Sequence, residues 1–372
     1  MMQSADGSSR RNPGSGGAGA AAPRIAAVEV AVPPYRYTQE EIAETFAATS
    51  LPDDDRRRML ARISANAGVR TRHLSQPLHR YQELADFTDA NSAWCTTACA
   101  LGEEALRAAL HRAGIAAERV DLIASTTVTG LTVPSIEARL AERIGLREDV
   151  KRIPLFGLGC AAGAAGLARL HDYLRAFPEQ VAVLLSVELC SLTVQRGDTT
   201  TANLVASSLF GDGAAAAVVL GADRTEPAPG PRMLATRSRL YPDSLSVMGW
   251  EIGADGFTIV LSPDVADIAE GELSKDVTGF LAERGLVPAD IASWVCHPGG
   301  PKVIEAVERG LQLPDGSLAH TRRSLSSLGN LSSASVLDVL RRTMHAPPPP
   351  GSPGLMTAMG PGFASELVLL DW

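Results

Sequence analysis

The residues with the most chemical potential are Cys160, His297 and Asn330, separated by 137 and 33 positions. Cys160 stands in LFGLGCAAGAAG (155–166), where a loop or strand gives way to apolar residues at spacings of three and four. A thiol at a helix N-terminus meets the positive end of the helix dipole, which favours thiolate. The small residues around it would let backbone, or a long thin substrate, come close. They equally suit tight helix packing around an inert thiol. A nucleophilic thiol also needs a base and a group to hold developing charge. Of the seven histidines, His73, His79, His111, His320 and His345 fall in polar or Pro-rich passages, and His171 lies within a helical stretch. His297 instead ends the buried-strand pattern ASWVCHPGGP, and the carboxyl ends of strands are where α/β sheets collect ligands. Asn330, after a glycine in SSLGNLSSASVLDVLRR, opens an amphipathic helix, a position that by itself reads as a cap.

The elements that must position these residues alternate. Nearly continuous apolar runs at 120–126, 181–189 and 214–221 predict buried strands, and amphipathic stretches at 135–145 and 164–177 predict helices. This order argues an α/β fold with covered sheets. There is also an internal echo: residues 105–130 and 276–300 each run helix, Gly turn, spacer, Asp, buried strand and Gly-bearing loop. Two copies about 170 residues apart indicate a duplicated α/β unit. A boundary is expected in the polar, Pro-rich RTEPAPGPR (224–232), with halves at 24–225 and 226–372 after a tail (1–23) whose Gly/Ser/Ala composition reads as disordered. HAPPPPGSPG (345–354) is expected to be a surface loop before the last strands. A site is expected where the halves meet.

Composition narrows the class. The chain has 372 residues, 45% hydrophobic, with a formal net charge of −8, which speaks against a nucleic-acid partner. No run of about 18 apolar residues predicts a membrane span. Five cysteines, an odd number with no dense framework and no apolar signal core before them, favour free thiols in a reducing cytoplasm. Cys95 and Cys99 lie at i, i+4 on a helical pattern with no further metal ligands in evidence, so core packing is expected there.

FGLGCAAG, SSLFGDGAAAAVVLG, WVCHPGGPKVIEAVE and SLGNLSSASVLDVLR together resemble the type III polyketide synthases, the chalcone synthase family, from about residue 24 to the C-terminus. Segments such as VELCSLTVQR and MGWEIGADGFTIVLS look more like bacterial members than plant ones. The resemblance implies the five-layer αβαβα thiolase fold, a homodimer, and acyl-CoA and malonyl-CoA as substrates without metal or redox cofactor. It makes Cys160 the nucleophile, His297 the base and Asn330 the third member of the triad. Phe210 matches a gatekeeper between CoA tunnel and cavity, and Val133 a residue that reaches into the partner's cavity. Val128, Thr129, Val194, Trp250, Ile259, Ser332 and Met359 match pocket positions. Arg62 matches a CoA contact, Arg58 lies one residue from another, and Lys302 falls near the pantetheine arm; a solvated helix face is the alternative for the two arginines.

Departures from the family pattern bear on product. Trp250 replaces a glycine of the plant cyclisation pocket, Ile259 a second gatekeeper phenylalanine, Val194 a threonine, and Met359 the aromatic of the GFGPG loop. Val128 stands where tetrahydroxynaphthalene synthases carry an extra cysteine, which argues against that product. These substitutions favour an aliphatic acyl-CoA starter leading to an alkylresorcinol or alkylpyrone. The alternatives are another aromatic product, or a ketoacyl-ACP synthase III, which shares the fold but has HQAN where this chain has HPGGP.

Overall fold

The computed structural model describes residues 22–51 and 53–372, so nearly all of the tail lies outside the described residues. The strands are β1 (Arg24–Ala31), β2 (Tyr35–Thr38), β3 (Thr71–Leu74), β4 (Leu122–Thr127), β5 (Lys151–Phe156), β6 (Val181–Leu189), β7 (Asp212–Leu220), β8 (Arg232–Leu240), β9 (Met248–Gly253), β10 (Gly256–Leu261), β11 (Ser293–Cys296), β12 (Pro353–Gly360) and β13 (Ala364–Asp371). The helices are α1 (Gln39–Ser50), α2 (Asp54–Ala65), α3 (Phe87–Ala113), α4 (Ile136–Ile144), α5 (Ala162–Ala176), α6 (Thr201–Leu209), α7 (Val265–Ile268), α8 (Ser274–Ala282), α9 (Pro301–Leu311), α10 (Ala319–Leu328) and α11 (Ser333–His345). Among the described residues, no helix is long and apolar enough to cross a membrane.

The three strands expected from apolar runs are β4, β6 and β7, buried over almost their whole length, as strands covered on both faces must be. Nine strands form one sheet in the order β11-β12-β13-β8-β1-β7-β6-β4-β5 among the described residues. The duplication is visible in its pairing. β4 runs parallel to β6, β6 antiparallel to β7, and β7 antiparallel to β1; β11, β12, β13 and β8 repeat that sequence of pairings. The halves join edge to edge at one residue pair, Arg24 with Arg232, on β1 and β8. Both copies of the internal echo deliver a helix, a short 3₁₀ turn and a strand: α3 to β4, and α8 to β11.

Three apolar clusters account for the five layers. One lies between α3, α4 and the outer face of the N-terminal strands. A second, central cluster gathers α5, α11 and the inner faces of both sets of strands. The third packs α8–α10 on the outer face of the C-terminal strands. Cys95 and Cys99, on α3, pack half-buried against the first cluster.

In the duplication α5 precedes β6 as α11 precedes β12, so the two central helices are counterparts, and they touch at their N-terminal ends. A Cβ on Gly163 would collide with the Ser333 carbonyl oxygen and the Val336 side chain. The small residues after Cys160 therefore serve close packing of α5 on α11. Residues Ala161 to Ala168 are buried between α11 and the strands, so of the two readings of these small residues it is tight packing that the fold displays.

Candidate active site

Because α5 and α11 are duplicated counterparts that meet end to end, residues 160 and 330 arrive at one point. Cys160 sits in a 3₁₀ turn, Gly159–Ala161, that feeds α5. Its Sγ lies 3.7 Å from the Ser332 hydroxyl, and the nearby Asn330 side chain favours the thiolate form. Asn330 and Ser332 belong to the turn between α10 and α11. Gly329 has φ +73° and Ser332 φ +48°, a left-handed conformation that a serine adopts only when its surroundings enforce it. The enforcement is local: Ser332 N–H donates to Asn330 Oδ1 at 2.8 Å, and Leu331 N–H to Ser335 Oγ at 2.6 Å. With Oδ1 committed to a backbone donor, the Asn330 NH₂ group is the one available to the thiol.

His297 follows β11 directly, its N–H bonded to Thr357 O of β12 at 2.9 Å. Three residues further along β12, Gly360 lies against Leu158 and Ala161, the turn that carries Cys160. The carboxyl ends of β11 and β12 thus bring the imidazole to the same edge as the thiol. His297 keeps some exposed surface as a residue, but both ring nitrogens are shielded from solvent and have no hydrogen-bond partner among the described residues.

Burial dominates the electrostatics. It pushes the Cys160 thiol up to about 12, with the Ser332 and Asn330 hydrogen bonds opposing, and pushes the His297 imidazole down to about 3. Each group alone is neutral, so helix-dipole stabilisation of a lone thiolate, expected from the sequence, is outweighed. A buried group of this kind ionises more readily beside an opposite charge than alone.

Behind the thiol lies Glu188, at the end of β6 and fully buried. It accepts from Val128 N–H at 3.1 Å and Thr129 Oγ1 at 3.0 Å, and from the Ser333 hydroxyl. No sequence signal singled it out. Burial raises its carboxyl from 4.5 to about 6. The protonated form is therefore favoured by folding: the contribution is complete below pH 4.5, and about 2 kcal/mol is lost as pH rises through 6. Glu188→Gln is expected to flatten this part of the pH dependence, which urea unfolding at pH 4.5 and pH 7 would measure.

A recess of about 30 Å³ at Cys160 is lined by Val128, Thr129 and Ser332. It shares Cys190, Phe210, Trp250 and Ile259 as walls with a cavity of about 610 Å³, within the roughly 300–1,000 Å³ typical of small-molecule sites. Val194 lines the larger cavity. Trp250 and Ile259 face each other across the β9–β10 hairpin, and the indole meets the Phe257 ring edge-on at 5.9 Å.

Five other expected site residues lie elsewhere. Met359 borders neither space, because side chains alternate along β12: Met356 and Ala358 face the central cluster, whereas Leu355 and Met359 pack into the outer one. Val133 is 96% exposed and lines neither space within this chain. Arg58 and Arg62 are exposed on α2, with Arg58 paired to Asp55, and Lys302 is exposed in the first turn of α9.

A duplicated thiolase-like fold, with Cys160 beside the Asn330–Ser332 turn and His297 at the carboxyl end of β11, is the fold of a condensing acyltransferase. Residues 10–224 match the family of chalcone and stilbene synthases in its N-terminal domain, and residues 233–371 match the C-terminal domain. A 1,3,6,8-tetrahydroxynaphthalene synthase of Streptomyces peucetius subsp. caesius is 53% identical over 94% of this chain and 93% of its own length. A phloroglucinol synthase of Pseudomonas fluorescens is 30% identical over 92% and 97%. Among solved structures, the tetrahydroxynaphthalene synthase of Streptomyces coelicolor A3(2), a bacterial type III polyketide synthase, superimposes with a TM-score of 0.89 at 31% identity, covering 94% and 99% of the two chains. The chain belongs to the chalcone and stilbene synthase family and is a type III polyketide synthase.

Proposed function

We propose that the chain primes itself with malonyl-CoA, extends with further malonyl-CoA, and cyclises the chain to a polyhydroxylated aromatic, tetrahydroxynaphthalene being the expected product. The observation that carries this reading is the 53% identity, over nearly the full length of both proteins, to a synthase of that product. Cys160 as nucleophile, His297 as base and Asn330 as amide donor supply the chemistry. The thiol proton passes to His297, Sγ attacks the starter thioester carbon, and coenzyme A leaves as its thiol. Decarboxylation of malonyl-CoA leaves the electron pair of the broken C–C bond as an enolate, whose oxygen the Asn330 amide and protonated His297 stabilise. The enolate carbon attacks the Cys160-bound acyl carbon, and Sγ departs. No metal or redox group enters these steps. The extended chain has room in the 610 Å³ cavity beyond Phe210 and Trp250.

A second reading has its own support. The walls Val128, Val194 and Ile259 are aliphatic, and the cavity is large, which suits a fatty acyl starter and an alkylresorcinol or alkylpyrone. Incubation with malonyl-CoA alone, and with acyl-CoAs of graded length, separates the two by product mass. An aromatic pentaketide from malonyl-CoA alone supports the first reading; products that appear only with an aliphatic starter, and grow with its length, replace it by the second.

We also propose a homodimer in the cytoplasm. Val133, Leu131 and Phe156 are apolar and exposed near the β5 edge, and all five thiols are free, as a reducing compartment would keep them. Coenzyme A recognition by Arg58, Arg62 and Lys302 belongs to the same reading, since guanidinium and ammonium groups suit its phosphates.

A further inference from the structure

Arg72, on β3, is a buried cation that the chemistry above does not use. Its Nη1 donates to the Phe210 carbonyl oxygen at 2.7 Å, the acceptor left over where Phe210 and Asn330 form an isolated parallel bridge. In that bridge Asn330 N–H donates to Leu209 O at 2.8 Å, and Gly211 N–H to Asn330 O at 3.0 Å. The aliphatic stem of Arg72 lies against the other side of the same turn: a Cβ on Gly329 would come within 3.0 Å of Arg72 Cγ and Cδ. One side chain therefore backs both the strand end that carries the Phe210 ring and the turn that carries the Asn330 amide.

The cation is held in place by its surroundings. Asp212, two residues past Phe210, accepts from Ser75 N–H at 2.6 Å and Ser191 N–H at 2.8 Å. Its charge favours protonated Arg72, while burial lowers the guanidinium to about 10, which leaves it charged at neutral pH. Arg72 Nε has no partner among the described residues. A buried cation with an unsatisfied donor is costly, and the contact it maintains is with the backbone of the site.

We propose that Arg72 is a positioning residue for condensation: by clamping the Phe210–Asn330 bridge it sets where the Asn330 amide stands relative to Cys160. This rests on the role given to Asn330 above. The step most sensitive to the clamp is the one that uses the amide, malonyl-CoA decarboxylation. Intrinsic reactivity of the Cys160 thiol depends on it far less.

The test compares Arg72→Lys and Arg72→Met with wild type in three measurements: thermal melting, CO₂ release from malonyl-CoA, and alkylation of Cys160 by iodoacetamide followed by peptide mass. Arg72→Lys keeps the charge but not the planar fork. It is expected to fold, to alkylate within about twofold of wild type, and to lower kcat for decarboxylation by about 10- to 100-fold with little change in KM. Arg72→Met is expected to lose more of the same step; where it fails to fold, Arg72→Lys decides. Wild-type decarboxylation in a folded variant overturns the assignment, as does an equal loss of decarboxylation and alkylation, which would mark a merely structural role. A wild-type protein that released no CO₂ from malonyl-CoA would instead overturn the functional reading, and the Arg72 assignment with it.

Discussion

Cys160→Ala is expected to remove polyketide product by more than about 1,000-fold, because on the proposed mechanism the growing chain loses the thiol that holds it as a thioester. The substitution is small. Cys160 is 5% exposed in a turn of alanines and glycines, so a methyl group fits where the thiol was, at about 1 kcal/mol of stability. Melting should therefore shift by only a few degrees while synthesis stops. The roles divide sharply in one further respect. On the proposed mechanism, decarboxylation of malonyl-CoA draws charge stabilisation from Asn330 and His297 and makes no bond to sulfur, so CO₂ release should continue in the alanine variant. Product formation and CO₂ release measured side by side check this. Polyketide masses persisting without the thiol would remove Cys160 from the mechanism.

Asn330→Ala is expected to do the reverse. Losing an amide aimed at developing oxyanion charge lowers decarboxylation by about 100- to 1,000-fold, whereas iodoacetamide should still alkylate Cys160. The structure separates this effect from simple misfolding. Asn330 Oδ1 holds the Ser332 N–H at 2.8 Å in a turn where Ser332 has φ +48°, so the alanine variant also loses about 1–2 kcal/mol of stability from the unmade buried bond. Asn330→Asp keeps that acceptor but replaces the donor with carboxylate oxygen. If the amide acts through its NH₂ group, the aspartate variant recovers the stability and not the activity. Recovery of both would show that Asn330 is a cap and nothing more. Measured together, unfolding and CO₂ release for the two variants decide the point.

The two substitutions depend on residues that were legible in the sequence to different degrees. Cys160 stood out because a thiol among small residues at a helix entry is unusual, and His297 because a buried strand ended on it. Asn330 carried the signature of an ordinary helix cap, and its residue type alone could not separate the two roles. What brings the two roles within reach is a contact between segments about 170 residues apart in sequence, Cys160 with Ser332 of the Asn330 turn, created when two duplicated helices pack end to end.

The same distinction runs through the whole molecule. Strand runs, helix boundaries and the repeat of an α/β unit were determined by local pattern, since period-2 and period-3.6 burial and turn chemistry act over a few residues. The direction of Met359 away from the site, the packing duty of the small residues after Cys160, the burial of Glu188 behind the thiol and the clamp of Arg72 on Phe210, 138 residues away, were decided only by tertiary structure. Each depends on which face of one element meets which face of another. Burial, which pushes Cys160 and His297 in opposite directions, exists only once the layers have closed around them.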